Sequence, residues 1–236
     1  MTDQPVILRR AAVLAAALFA LAASGALAQG AALQQKVAAI EASAAKNKQM
    51  LGHYTWQTQE TISIDGDVKK TALYQVQLGP DGKPVKTEIT QSQSGRQRKF
   101  GIRHRIAQSY ADYGQQIASL AQSYTQFQPG RIGALYKQGN VSLQSGGVPG
   151  YQAIVVKNYV KPGDSMTLVF NPAQKAIVSL QISSYLSAPS DAVTIAAQFA
   201  RLPDGTNHVA SVTIDGKSKN LTIQDTNGDY QKSAAP

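Results

Sequence analysis

The stretch from Arg105 to Phe127, RIAQSYADYGQQIASLAQSYTQF, constrains this chain more than any other. Its apolar residues Ile106, Tyr110, Tyr113, Ile117, Leu120, Tyr124 and Phe127 recur every three or four positions. At ~3.6 residues per turn, that spacing puts them all on one face of a helix about six turns long. On both sides of the stretch the apolar period falls to two. A helix with one apolar face, set between hairpin-forming segments, needs a sheet to pack against.

The strands read as follows. Tyr54, Trp56, Thr58, Glu60, Ile62 and Ile64 alternate with a polar set, Asp65-Gly66 stands where a two-residue hairpin turn belongs, and a second strand runs through Ala72, Tyr74, Val76 and Leu78. A third covers Val85 to Thr90, after the turn Pro80-Asp81-Gly82. Pro129-Gly130 ends the long helix and a short one follows from Arg131 to Gln138. Gly139 to Gly150 reads as a Gly- and Ser-rich loop. Strands then resume at 151–160, 165–171, 175–186, 192–201, 207–215 and 219–225, with Asp215-Gly216 as the last turn. Upstream, Leu33, Val37, Ile40 and Ala44 share one face of an alanine-rich helix from about Ala31 to Met50. The expected fold class is α+β: a curled antiparallel sheet, a half-barrel of about nine strands, with an N-terminal helix and a helical insertion covering the concave face.

The first residues belong to a different kind of segment. Arg9 and Arg10 precede the apolar run Ala11 to Ala23, and Ala26-Leu27-Ala28 supplies small residues at a cleavage site. This is the pattern of a secretory signal peptide, which predicts residues 1–28 as signal, cleavage after Ala28 and a periplasmic or secreted destination. Sec export and, through the Arg pair, the twin-arginine route both stay open. The remainder reads as one domain over 29–230, with its helical insertion at about 103–138 and a disordered tail at 231–236. Cysteine is absent, so disulfides and thiol chemistry are excluded and stability must come from core size.

Charge is concentrated in the middle of the chain. Residues 89–163 carry 9 basic groups against the single acid Asp112, whereas the flanking segments are nearly neutral. Arg96, Arg98, Lys99, Arg103, His104 and Arg105 lie just before and at the start of the long helix, where the dipole disfavours positive charge by ~0.3–1 kcal/mol per group. Such a run is either a solvated loop or a patch for an anionic membrane surface or an acidic partner protein. Nucleic acid is not an expected partner, because only Phe100 interleaves aromatically with the run and the signal directs the chain elsewhere.

No catalytic signature is present. His53, His104 and His208 are far apart and lack a metal-spaced partner. Ser43-Ala44-Ala45-Lys46 matches SxxK by letters alone. Gly216-Lys217-Ser218 lacks the upstream glycine of a phosphate loop, since Ser211 stands there. Asp65, Asp81, Asp164, Asp204 and Asp215 each neighbour a glycine, where turn chemistry explains them. No enzyme, cofactor or metal is implied.

The tyrosines of the long helix are the remaining signal. A phenol hydroxyl needs a partner when buried, so several on one face suit either a core with polar partners or the wall and mouth of a cavity. The element order (helix, about three strands, helical insertion, about six strands) resembles the LolA/LolB-like superfamily of periplasmic proteins over roughly residues 31–230. The segment MTLVFNPAQKAIVSLQISSYL is also similar to exported bacterial proteins without an assigned role. The superfamily resemblance implies a half-closed barrel whose hydrophobic cavity takes acyl chains. The corresponding expectation is a non-catalytic binder of a lipid, acyl chain or acylated protein. Trp56, Tyr74, Tyr110, Tyr113, Ile117, Tyr124, Phe127 and Tyr136 would line its cavity, and Arg96, Arg98, Lys99, Arg103 and Arg105 would form its anionic-partner patch. The alternative is an interaction or sensor module with a packed core, whose basic loop docks on an acidic protein.

Overall fold

A computed structural model describes residues 34–40, 42–93, 102–125 and 130–233. The chain falls into two units, Met1–Ala39 and Ile40–Pro236. In the first, residues 34–39 are helical. The second contains helix α1 (residues 42–51), strands β1 (Tyr54–Ile64), β2 (Asp67–Leu78) and β3 (Pro84–Gln93), and helices α2 (Ile102–Thr125) and α3 (Arg131–Lys137). Strands β4 (Val141–Ser145), β5 (Gln152–Lys157), β6 (Ser165–Asn171), β7 (Ala176–Tyr185), β8 (Ala192–Arg201), β9 (Asn207–Gly216) and β10 (Leu221–Lys232) follow, with a 3₁₀ turn at Lys217–Lys219 before the last.

All ten strands form one antiparallel sheet in the order β3-β2-β1-β10-β9-β8-β7-β6-β5-β4. Hairpins make every pairing except β1 with β10, which joins the start of the sheet to its end. The β1–β2 hairpin turns through Asp65 and Gly66, both at positive φ (53° and 84°), the mirror-image turn whose twist matches right-handed strands. The helical insertion leaves β3 at one edge and re-enters at β4 on the other. The architecture is the expected α+β open curled sheet, with ten strands instead of about nine. The additional one is β4, in the stretch read as loop: VSLQS is short and polar, and it is a strand because it pairs with Gln152–Val156 of β5.

The sheet is strongly curled. Lys86 on β3 places Nζ 2.9 Å from Asp225 on β10, although β2 and β1 lie between them. Three strand spacings span roughly 14 Å in a flat sheet, beyond the reach of two side chains standing parallel, so β3 must roll toward β10. The concave face follows from the registers. Val156 opposes Met166, Met166 opposes Ile182, Ile182 opposes Ile195, Ile195 opposes Ile214 and Ile214 opposes Ile223, an apolar layer running from β5 to β10. These residues are buried. Toward β1–β3 the same face becomes polar at Thr58, Glu60, Lys70, Tyr74 and Lys86.

α2 crosses the strands along one rim of this sheet. Its contacts are with residues at or beside strand ends: Asp164 before β6, Ser184 near the end of β7, Asp191 before β8, Gly216 ending β9 and Leu221 opening β10. α1 is tied to the opposite rim. There Ser43 Oγ donates to the Lys175 carbonyl, and the Asn47 amide exchanges two 2.6 Å hydrogen bonds with the backbone of Asn207.

Three sequence expectations shift. The apolar seam of α2 is buried at Tyr113, Ile117, Leu120 and Tyr124, but Ile106 is 53% exposed because the first turns of the helix project past the rim. Gly216 is not a turn residue: β9 runs through it in extended conformation and the chain turns at Lys217–Asn220. β10 runs from Leu221 to Lys232, well past the 225 expected for the last strand, and its end carries the Lys232–Asp204 ion pair.

Candidate functional site

The geometry that could serve a function is the seat of α2. Tyr113, Ile117, Leu120 and Tyr124 follow at spacings of four, three and four and turn one buried stripe toward the sheet. The Tyr113 ring lies on the backbone of β9, so close that a Cβ at Gly216 would stand 2.5 Å from Cε1. Its hydroxyl donates to Asp191 at 2.9 Å, a carboxylate that also accepts from Ser218. Burial, reinforced by Asp191, raises the Tyr113 phenol above its ordinary value.

Tyr124 makes the deeper anchor. Its hydroxyl donates to Asp164 Oδ2 at 2.6 Å, which leaves the Ser184 hydroxyl, 2.8 Å away, to donate to Tyr124. Asp164 is itself buried and accepts the backbone N–H groups of Tyr159, Val160 and Lys161. Burial first, and Asp164 second, push the Tyr124 phenol far above the usual range. On the outer side, Lys219 donates to the Ser109 carbonyl and hydroxyl and lies 5.0 Å over the Tyr110 ring. α2 is therefore fastened by tyrosine–carboxylate bonds at two turns and a lysine strap at a third.

The residues expected to share a cavity wall separate into four places. Tyr113, Ile117 and Tyr124 form the seat just described, with Tyr110 half-buried at its edge. Trp56 is buried at the far end of β10, stacked on Tyr230 at 5.5 Å, with Tyr54 and His208 against the same ring. From Leu221 to Tyr230 along the strand is on the order of 30 Å at ~3.3 Å per residue, so Trp56 and Tyr113 do not meet. Tyr74 lies on β2, its hydroxyl 3.3 Å from both Lys70 Nζ and Glu60. Tyr136 is half-buried on α3, which packs on β4 and β5 through Ile132 and Leu135. Phe127 lies outside the described residues. So do Arg96, Arg98 and Lys99 and the Arg103 side chain; of the basic patch only Arg105 is described, and it is exposed.

Sequence reasoning missed the carboxylates. Asp164, Asp191 and Asp204 are turn residues, as their glycine and proline neighbours suggested for two of them, but each also receives a tyrosine hydroxyl. The available signal was the reciprocal one: hydroxyls on a helix face that must find partners, and aspartates at strand ends free to supply them. Also missed was the ionic layer on the concave side of β1–β3, where Lys86 bridges Asp225 and Glu60 and Lys70 approaches Glu60 at 3.8 Å. Burial pushes the Asp225 carboxyl up and the Lys86 ammonium pulls it back. Among the described residues no group of three or more His, Cys, Asp or Glu could hold a metal ion.

Openings flank the helices. An open groove of about 440 Å³ runs along the outside of α2, between Arg105, Asp112, Gln116 and Lys219. A more enclosed cavity of about 140 Å³ lies beneath α1.

No family model matches the sequence, and no curated protein matches it. Among solved structures, the chain is similar to a DUF1329 family protein from Desulfovibrio piger, at 10% identity, covering 84% of this chain and 93% of that one with a TM-score of 0.41. It is also similar to a LolA superfamily protein from Nitrosomonas europaea, at 8% identity, covering 79% of this chain and 88% of that one with a TM-score of 0.36.

Proposed function

We propose that this chain is an exported, non-catalytic binding protein for a lipid, an acyl chain or a lipid-modified protein, with α2 as the displaceable cover of its apolar concave face. The observation that carries this reading is the way α2 is held. Its apolar stripe rests on the sheet, and the two ends of that stripe, Tyr113 and Tyr124, are fixed by hydroxyl–carboxylate bonds to Asp191 and Asp164. Hydrogen bonds to charged groups contribute ~1.5–3 kcal/mol each, so unfastening both costs a few kcal/mol. Lifting Ile117 and Leu120 exposes side chains worth ~1.5–3 kcal/mol apiece, and an acyl chain returns ~0.8 kcal/mol for each methylene it buries there. A long chain can therefore replace the helix at nearly balanced free energy.

Native mass spectrometry of purified protein tests for co-purifying lipid, and a fluorescent fatty acid tests for uptake. The expected result is a bound lipid, with faster uptake by the Tyr113→Phe, Tyr124→Phe double variant. Absence of both lipid and uptake overturns the proposal. Export is supported by the sequence of residues 1–28, and a mature protein retaining Met1 would contradict it.

A second reading rests on the depth of burial: Ile117 is 0% and Tyr124 1% exposed, as in a permanent core. In that case the protein is an interaction module. Its exposed Arg105, with Arg96, Arg98, Lys99 and Arg103 preceding it in sequence, docks on an acidic protein or anionic membrane surface. A partner retained on wild type and lost when all five are changed to Ser, with no lipid found, selects this reading.

A further inference from the structure

The two edges of the sheet are not alike. β3, at one edge, carries Pro84, Lys86 and Glu88 and a bulge at Ile89. Proline, charge and bulges are the usual means by which an edge strand is kept from pairing with another chain. β4, at the other edge, has none of them: it reads VSLQS and pairs with β5 in unbroken register. No residue from Gln138 to Val156 is charged, in a chain of net charge +9.

The bonds at the two ends of the β4–β5 ladder show what this edge offers. Lys157 N–H donates to the Asn140 carbonyl at 2.8 Å, and Gly146 N–H to the Tyr151 carbonyl at 3.0 Å. Between those bonded pairs, antiparallel alternation turns the backbone of Ser142 and Gln144 toward β5. It leaves the N–H and C=O of Val141, Leu143 and Ser145 on the outer side. Ser142 through Ser145 are exposed, so that side is open. Leu143 opposes Ile154, Ile154 opposes Leu168 and Leu168 opposes Leu180, which makes Leu143 the end of an apolar row on the concave face. Ile154 and Leu168 are each 4% exposed, whereas Leu143 is 41% exposed.

From these features we infer that β4 is a self-pairing edge, and that its partner is β4 of a second copy of this chain, antiparallel and centred on Leu143. That centre uses all three outward residues: Leu143 faces its counterpart, and Val141 faces Ser145 of the other copy. A centre on Ser142 or Gln144 leaves one of the three with no strand residue opposite. Leucine then meets leucine, and the apolar row continues from one sheet into the next. Two copies of a basic protein repel over most of their surface, and an uncharged edge is where they can meet. The pairing does not depend on whether the concave face takes a lipid.

A short edge pairing buries less than the ~1,600 Å² of a standard stable interface, so sedimentation equilibrium of the mature protein should cover about 5 µM to about 500 µM. The expected result is a reversible monomer–dimer equilibrium. Leu143→Lys sets like charges opposite one another at an exposed position and should weaken dimerisation about tenfold or more. The absence of native cysteine makes the register testable as well. Directly paired Cα atoms stand ~5.5 Å apart, within the reach of a disulfide, so Leu143→Cys should cross-link to a dimer on oxidation. Gln144→Cys, whose counterpart lies two residues out of register and beyond ~7 Å, should cross-link far more slowly. The inference is overturned if the wild-type protein stays monomeric throughout, if Leu143→Lys dimerises as tightly, or if Leu143→Cys cross-links no faster than Gln144→Cys. Should Leu143→Lys fail to fold, the comparison of the two cysteine variants decides alone.

Discussion

A Cβ at Gly216 would stand 2.5 Å from Cε1 and 2.8 Å from the hydroxyl of Tyr113, distances that real side chains do not adopt. Gly216 has φ −103°, so its backbone suits any residue, and what it supplies is room for the ring. Gly216→Ala is therefore expected to destabilise the fold by about 1–3 kcal/mol through overpacking. Urea unfolding of that variant, alone and with Tyr113→Ala, checks it: the cost should shrink when the ring is absent. Asp204 shows the other kind of residue effect. The Tyr54 hydroxyl, then the Thr206 N–H, hold its carboxyl well below the usual carboxylate range. A depressed folded value means that its contribution is present above the unfolded pKa of about 3.9 and is lost as pH falls further. Acid titration of the unfolding midpoint should fall more steeply below pH ~4 in wild type than in Asp204→Asn.

α2 carries the largest departure from what its own sequence implies. Helical periodicity places Ile106 and Tyr124 on the same stripe, yet one is 53% and the other 1% exposed, because the rim of the sheet ends beneath the middle of the helix. Its anchors are polar, and this makes the element sensitive to alkali. The Tyr124 phenol is raised by burial, so its stabilising contribution is complete below the unfolded value of about 10 and is lost as pH climbs above it. Tyr124→Phe is expected to cost about 1.5–3 kcal/mol at pH 7, for one hydrogen bond to a charged group. It should also flatten the decline in stability above pH ~10, and chemical denaturation across pH 7–11 measures both effects.

At the scale of the whole molecule, a single side chain reaches over two strands of the curled sheet. Lys86 on β3 meets Asp225 on β10 and Glu60 on β1, and its ammonium lies 5.3 Å over the Tyr74 ring. Glu60 and Asp225 are directly opposed on neighbouring strands, a like-charge pair that needs the intervening cation. Lys86→Met should lower stability by about 1–2 kcal/mol, between the values for exposed and buried pairs because the lysine is partly solvated. Amide hydrogen exchange should accelerate in β2 and β3 and leave β6–β9 unchanged; uniform acceleration would mean that the bridge does not hold the curl.

Most elements could be read from local pattern. Alternation placed β1, β2 and β6–β9 within a few residues, the three–four spacing placed α2, and Asp65-Gly66 identified its turn because two positive φ angles are a property of those two residues. The concentration of basic charge before α2 is likewise a fact of sequence alone. Partnership was not readable in this way. β4 is a strand only because β5 offers it a free edge, the space that Gly216 leaves open is filled by a ring 103 positions away in the chain, and Asp164 meets Tyr124 across 40. Periodicity reports which face of an element is apolar, since that follows from backbone geometry. Which hydroxyl meets which carboxylate, and where a rim leaves a helix uncovered, depends on the curl of ten strands at once, and only the tertiary structure decides it.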